Sequence, residues 1–203
     1  MKTFKFNSKD VGSPQRAGSA RQTPEGLEII AGGRDIWGNR DECHFYHVRI
    51  SGDFELRVRI ASLTMADVYT KAGLMIRSSL AAEADHVFLL AFGDNQPRNN
   101  NNGGLEFQHR LAANGDCVAV YPPQPLAVPA DFPVHYPNVW LRLRRRRDVF
   151  AAESSQDGVN WKKYCDHAQA FPDSSYLGIA VTSHNEKEAV TGVFSHLQLR
   201  QEF

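Results

Sequence analysis

Period-two alternation runs through most of this chain. From Phe54 to Ala61, the apolar Phe54, Leu56, Val58 and Ile60 alternate with the polar Glu55, Arg57 and Arg59. Successive side chains of a strand point to opposite faces, so this segment predicts a strand with one face in a core and one in solvent. The stretch Asn138 to Trp161 repeats the theme: Leu141 and Leu143 share one parity, and Trp140, Arg142 and Arg144 share the other. KAGLMIR (Lys71 to Arg77) and HVFLLAF (His86 to Phe92) are apolar enough to predict strands buried more completely. Leu27 to Ala31, Cys43 to Ile50, Leu105 to Ala112, Cys117 to Tyr121, Val149 to Ser155, Tyr176 to Thr182 and Val190 to Leu199 bring the total to roughly a dozen strands. No stretch carries the 3.6-residue apolar period of an amphipathic helix.

Turn residues punctuate these segments. Ser51-Gly52, Asn114-Gly115 and Asp157-Gly158 sit between predicted strands, and the last two carry the residues that tight hairpins require. Arg145 to Asp148 forms a polar corner, and Asn99 to Asn102 lie in a polar loop from Gly93 to Gly104 expected to be long and mobile. Pro122 to Pro137 is proline-rich and reads as an extended surface crossing. Near the start, Phe4 and Phe6 suggest a short edge strand, Gly12 to Thr23 a loop, and Gly32 to Asp41 a glycine-rich loop. With no internal repeat and no linker, residues 1–203 are expected to form a single all-β domain, a two-sheet antiparallel sandwich of jelly-roll type.

A family likeness rests on the segments GRDIWG, SGDFELRVRI, TKAGLMIRSS, WLRLRR, SSQDGVNW and YLGIAVTSH, taken in that order. Together they resemble the concanavalin-A-like domains grouped with the regulation-of-enolase protein, and similar domains are fused to the C-termini of some β-xylosidases. The likeness spans approximately residues 30 to 200. It implies a two-sheet jelly roll, in a family whose members mostly lack an assigned function and of which several are thought to bind carbohydrate. Fold analogy of this kind does not by itself establish chemistry.

Composition narrows the partners. Lys plus Arg and Asp plus Glu are both 23, so the chain as a whole gives no electrostatic reason to expect nucleic acid or a membrane surface. Its longest apolar run is far shorter than the ~20 residues of a membrane-spanning helix. MKTFKFNSKD lacks the apolar core of a secretory signal, and the three scattered cysteines form no C-x-x-C pair. A cytoplasmic protein without cofactor or metal is the expectation, with oligomeric state left open.

Candidate chemistry follows from parity. Trp140 with Arg142 could form a sugar platform, the ring stacking on C–H groups and the guanidinium bonding hydroxyls; alternatively the proline-rich crossing covers Trp140. Lys71, Met75 and Arg77 share one parity, as do Glu106, Gln108 and Arg110. If their strands flank Trp140, these groups line a concave binding face; otherwise they form ion pairs on a solvated sheet. Asp35 and Trp37, with Asp41, could line its rim; Trp37 could equally plug the sandwich end, and Asp35 with Asp41 could hold a structural calcium. His184 is the most exposed histidine candidate. His44 and His47, three apart on a strand, face opposite ways and cannot share a metal.

No catalytic residue is assigned. There is no G-x-S-x-G nucleophile turn, and no cysteine has an evident histidine partner. The leading expectation is a non-catalytic sandwich that binds a glycan or another small polar ligand on its concave sheet. A carbohydrate lyase or hydrolase using Glu106, His109 or His184 with Arg77 and Arg110, or Glu106 with Glu153, is the alternative, and a regulatory protein-interaction domain is a third.

Overall fold

The computed structural model describes residues 4–101 and 103–201, and among them there is no helix. In chain order the strands are β1 Asn7–Val11, β2 Ser19–Thr23, β3 Gly26–Gly33, β4 Ile36–Trp37, β5 Arg40–Asp41, β6 Cys43–Ser51, β7 Phe54–Leu63 and β8 Lys71–Arg77. They continue as β9 His86–Phe92, β10 Leu105–Arg110, β11 Cys117–Val120, β12 Val139–Arg146, β13 Val149–Ser155, β14 Lys162–Ala168, β15 Ser174–Thr182 and β16 Asn185–Gln201. Two seven-stranded sheets result. The front sheet has the order β1-β6-β15-β8-β9-β10-β11, the back sheet β14-β13-β12-β7-β16-β3-β2, and β4 pairs with β5 as a small separate hairpin. The ladders are antiparallel. This is the all-β sandwich that the alternation predicts.

The main core lies between the sheets. Leu56, Val58 and Ile60 of β7 and Leu141 and Leu143 of β12 meet Leu74, Ile76, Leu89, Phe107 and Ile179 from the front sheet. The register Leu141↔Val58 and Leu143↔Leu56 explains why β12 and β7 share one apolar parity. A second, smaller apolar layer covers the outer face of the front sheet, where Phe45, Met75, Phe88 and Leu90 pack under Ile36 of the β4 hairpin and Leu80 and Ala82 of an overlying loop. Strands β8, β9 and β10 are therefore buried on both faces.

Several local expectations change. The first edge strand begins at Asn7 rather than at Phe4, and Ser19–Thr23, expected as loop, pairs with β3. Inside the glycine-rich segment, β4 and β5 form a hairpin. Asp157-Gly158 does not make a two-residue turn: Asp157 instead accepts the backbone N–H groups of Val159 and Asn160, each at 2.8 Å, capping a longer loop before β14. The polar segment around residues 93–104 is tied down. Arg98 is buried, stacks 4.3 Å from the Phe92 ring centroid and ion-pairs with Asp94, while Asn101 donates to the Leu105 carbonyl at 2.6 Å. Asn102 of the asparagine run lies outside the described residues.

Candidate functional site

The front sheet carries the site. Lys71 at the start of β8, and Glu106 and Gln108 on β10, point away from the main core because Leu74, Ile76, Leu105 and Phe107 occupy the opposite parity. Above them stand Asp35 and Trp37 from the β4 hairpin, Tyr69 from the loop before β8, and Asn99, Tyr121 and His184 from three further loops. These groups enclose a pocket of about 210 Å³. Of the residues singled out from sequence, Lys71, Glu106, Asp35, Trp37 and His184 come together here. Tyr69, Tyr121 and Asn99 do not carry a period-two signal, because loops bring them in.

Ion pairing sets the electrostatics. Lys71 Nζ lies 2.8 Å from Asp35 Oδ1, and His184 Nε2 lies 3.3 Å from Asp35 Oδ2. Burial alone would raise the Asp35 carboxyl, but Lys71 and His184 outweigh it and hold the acid below its ordinary range. His184 Nδ1 is 3.0 Å from Asp67 Oδ1, near enough for charge attraction although not aligned as a hydrogen bond. The hydrogen bond to Asp35 raises the His184 ring above its ordinary value against the effect of burial. Glu106 moves the other way from Asp35: burial raises it, and Lys71 only partly compensates. Gln108 Nε2 donates to Glu106 Oε1 at 2.7 Å, while the buried Gln108 Oε1 has no hydrogen-bond partner among the described residues.

Arg77 and Arg110, expected on a ligand surface, are fully buried at the ends of β8 and β10 away from Lys71 and Glu106. Arg110 grips Asp41 with both terminal nitrogens at 2.7 and 3.0 Å, and Arg77 Nη1 lies 3.3 Å from the same carboxylate. Burial alone would raise the Asp41 carboxyl; His86, Arg110 and Arg77 outweigh it and hold Asp41 well below the ordinary carboxylate range. Burial lowers the His86 ring, against the pull of the neighbouring Asp41 carboxylate. The remaining donors of the two guanidiniums fasten loops to the sheet. Arg110 donates to the carbonyls of Gly38 at 3.0 Å and Ala84 at 2.9 Å, and Arg77 donates to that of Ser79 at 2.8 Å. The cluster thus fixes the hairpin that carries Trp37. Asp41 is not available for the calcium arrangement considered with Asp35.

Trp140 and Arg142 lie elsewhere. Strand β12 pairs with β7 and β13 in the back sheet, so its outward face is on the far side of the sandwich from Lys71 and Glu106. The expected single surface does not form. A Cβ on Gly158 would come within 3.0 Å of the Trp140 ring, which shows how closely that loop covers it, and His196 packs 5.1 Å away, centroid to centroid. Arg142 is held by Glu153 at 2.7 Å and stacks 4.2 Å from the Trp161 ring centroid. Glu153, on the back sheet, cannot pair with Glu106. His109 faces the interior and stacks on His167 at 4.1 Å, away from the pocket. His44 and His47 do face opposite ways: His44 pairs with Asp10 at 2.7 Å, and His47 donates to its own neighbour's carbonyl on Phe45 at 3.0 Å. Burial pushes the thiols of Cys43, Cys117 and Cys165 up to about 12, which leaves each a poor nucleophile.

No protein-family model matches this chain, and no curated protein matches it in sequence. Solved structures do. A functionally unknown protein from Saccharomyces cerevisiae is similar over 97% of both chains, with 17% identity and a TM-score of 0.70. The GH43 protein BlXynB from Bacillus licheniformis is similar over 85% of this chain but only 32% of its own length, with 9% identity and a TM-score of 0.57. The exoplasmic/lumenal domain of VIP36, solved with Ca2+ and Man3GlcNAc, is similar over 98% of this chain and 84% of its own, with 10% identity and a TM-score of 0.53. At such identities the likeness fixes the architecture and nothing finer. The chain is an all-β, two-sheet jelly roll of the concanavalin-A-like kind.

Proposed function

We propose that this protein binds a carbohydrate in the front-sheet pocket, without transforming it. The observation that carries this reading is Gln108, buried in the pocket wall, anchored by its amide on Glu106 and lacking, among the described residues, a donor for its carbonyl. A buried acceptor left unpaired costs free energy that a ligand hydroxyl recovers. Trp37, Tyr69 and Tyr121 add aromatic surface suited to the C–H faces of a sugar ring. At about 210 Å³ the pocket is smaller than the ~300 Å³ lower bound of drug-sized sites, which fits one sugar ring. The fold shared with the Man3GlcNAc-bound VIP36 domain supports the ligand class.

Calorimetry against a panel of monosaccharides tests the reading. Gln108→Leu, checked for native circular dichroism, is expected to weaken binding by about tenfold or more, the effect of a buried hydrogen bond worth ~1–3 kcal/mol. Wild-type protein that binds no sugar in the panel would sink the proposal.

One observation favours a second reading, glycosidic cleavage. Lys71 acts on both Asp35 and Glu106, and the two acids are driven in opposite directions, one toward the charged and one toward the neutral form. Carboxyls with separated acidities can serve as charged partner and proton donor. Release of shorter products from xylo-oligosaccharides, abolished by Glu106→Gln, would establish it. Intact oligosaccharide after prolonged incubation would leave binding alone.

A further inference from the structure

A second cavity adjoins the pocket. This outer cleft of about 430 Å³ is lined by Arg34, Asn39, Arg40, Glu42 and Glu186, and it shares Asp35, Trp37 and His184 with the inner pocket. Trp37 is 41% exposed although the hairpin beneath it is rigidly held. The Gly38 carbonyl accepts from Arg110 at 3.0 Å and from the Cys117 N–H at 2.8 Å, so the ring stands as a fixed ridge between the cavities. An exposed indole on a pinned backbone offers stacking area at little ordering cost.

The cations around both cavities are already paired. Arg34 pairs with Glu186 at 2.7 Å, Arg40 with Glu83 at 3.4 Å, Lys71 with Asp35 at 2.8 Å, and His184 sits between Asp35 and Asp67. Glu42 accepts the Arg34 backbone N–H at 3.1 Å. Among the described residues that line the two cavities, no cation is left over to receive a carboxylate, whereas paired charges still present donors and acceptors to hydroxyls.

We infer that the inner pocket and outer cleft are consecutive subsites for an uncharged oligosaccharide of at least two units, with Trp37 as the platform between them. This rests on the carbohydrate reading above. Affinity for the inner unit comes from the Gln108 wall, and the gain on adding a second unit comes from Trp37 and the outer cleft.

Calorimetry with mannose, mannobiose and mannotriose, with the matching xylose series, and with digalacturonate tests this. Wild-type protein is expected to bind one of the neutral disaccharides about tenfold more tightly than its monosaccharide. Trp37→Ala should abolish that gain. Arg40→Ala, at a residue that lines the outer cleft and not the inner pocket, should lower the ratio of disaccharide to monosaccharide affinity. Equal affinity for monosaccharide and disaccharide in wild type would overturn the two-subsite inference while leaving the single-ring site standing. Digalacturonate binding more tightly than every neutral disaccharide would overturn the uncharged specificity. Absence of binding to any of these sugars would overturn this inference together with the reading beneath it.

Discussion

Asp41 shows how much of this site depends on one buried carboxylate. Its two guanidinium partners are completely buried, so removing Asp41 would strand two cations in a low-dielectric interior. Breaking one side of a buried pair of this kind typically costs ~3–5 kcal/mol. Asp41→Ala is therefore expected to lower stability by about that amount in urea titration, and to weaken sugar binding by releasing the hairpin under Trp37. An unchanged urea midpoint would show that Arg77 and Arg110 find other partners. At His109 the residue scale gives a pH dependence instead. Burial first, and then neighbouring His167, push His109 down to about 4. Between the ordinary histidine value of ~6.5 and that midpoint, the unfolded chain takes up a proton that the folded chain refuses, so stability falls as pH falls through the window. His109→Phe keeps an aromatic ring beside His167 and should flatten that loss in urea midpoints compared at pH 7 and pH 4.5. If the variant loses stability with acid as steeply as wild type, His109 is not the responsible group.

At the scale of elements, the loop preceding β10 links stability to the site. Arg98 holds this segment through Asp94, the Gln96 carbonyl at 2.6 Å and the Phe92 ring, and its backbone exchanges hydrogen bonds with Asn101 at 2.6 and 2.7 Å. Asn99, inside the segment, lines the pocket. Arg98→Ala is expected to cost about 1–3 kcal/mol of local stability, to speed proteolytic nicking between Asp94 and Asn101, and to reduce sugar affinity. Nicking at the wild-type rate would mean the loop is held by other contacts. This loop was not legible as an ordered element, because a polar asparagine-rich stretch carries no signal of the single arginine that pins it. Strands were legible where apolar residues alternate or run: β8 and β9 occur over the residues expected. The same parity misled at Arg77 and Arg110. A charged residue on an outward face reads as wet, but the β4 hairpin bearing Ile36 and the loop bearing Leu80 and Ala82 roof this sheet and convert that face into interior. Lys71, Glu106, Asp35 and Trp37 were legible as parts of one face and its rim, and His184 as a separate candidate; that Trp140 and Arg142 lie apart from them was not.

The missing information belongs to the whole molecule: which sheet each strand joins. Period two assigns faces, but it is blind to the long connections that send β12 beside β7 and β15 beside β8. Trp140 and Lys71 thus share an outward parity and still lie on opposite sides of the sandwich. The clearest case is β16, which crosses the molecule from Asn185 to Gln201 and pairs with β7 on one side and β3 on the other. Without it, β2 and β3 lose their ladder to the rest of the back sheet, and the core loses Val190 and Phe194. Long-range pairing of this kind is cooperative, since no part of the back sheet closes the core alone. Phe194→Ala, at a completely buried ring, is expected to cost about 3–5 kcal/mol while preserving a single unfolding transition. Removing residues 185–203 should abolish the transition altogether, leaving a chain without near-ultraviolet dichroism or sugar binding. A truncated chain that still unfolds cooperatively would show that the front sheet and β12–β14 form an independent core, and that the strand order described here is not what holds the pocket together.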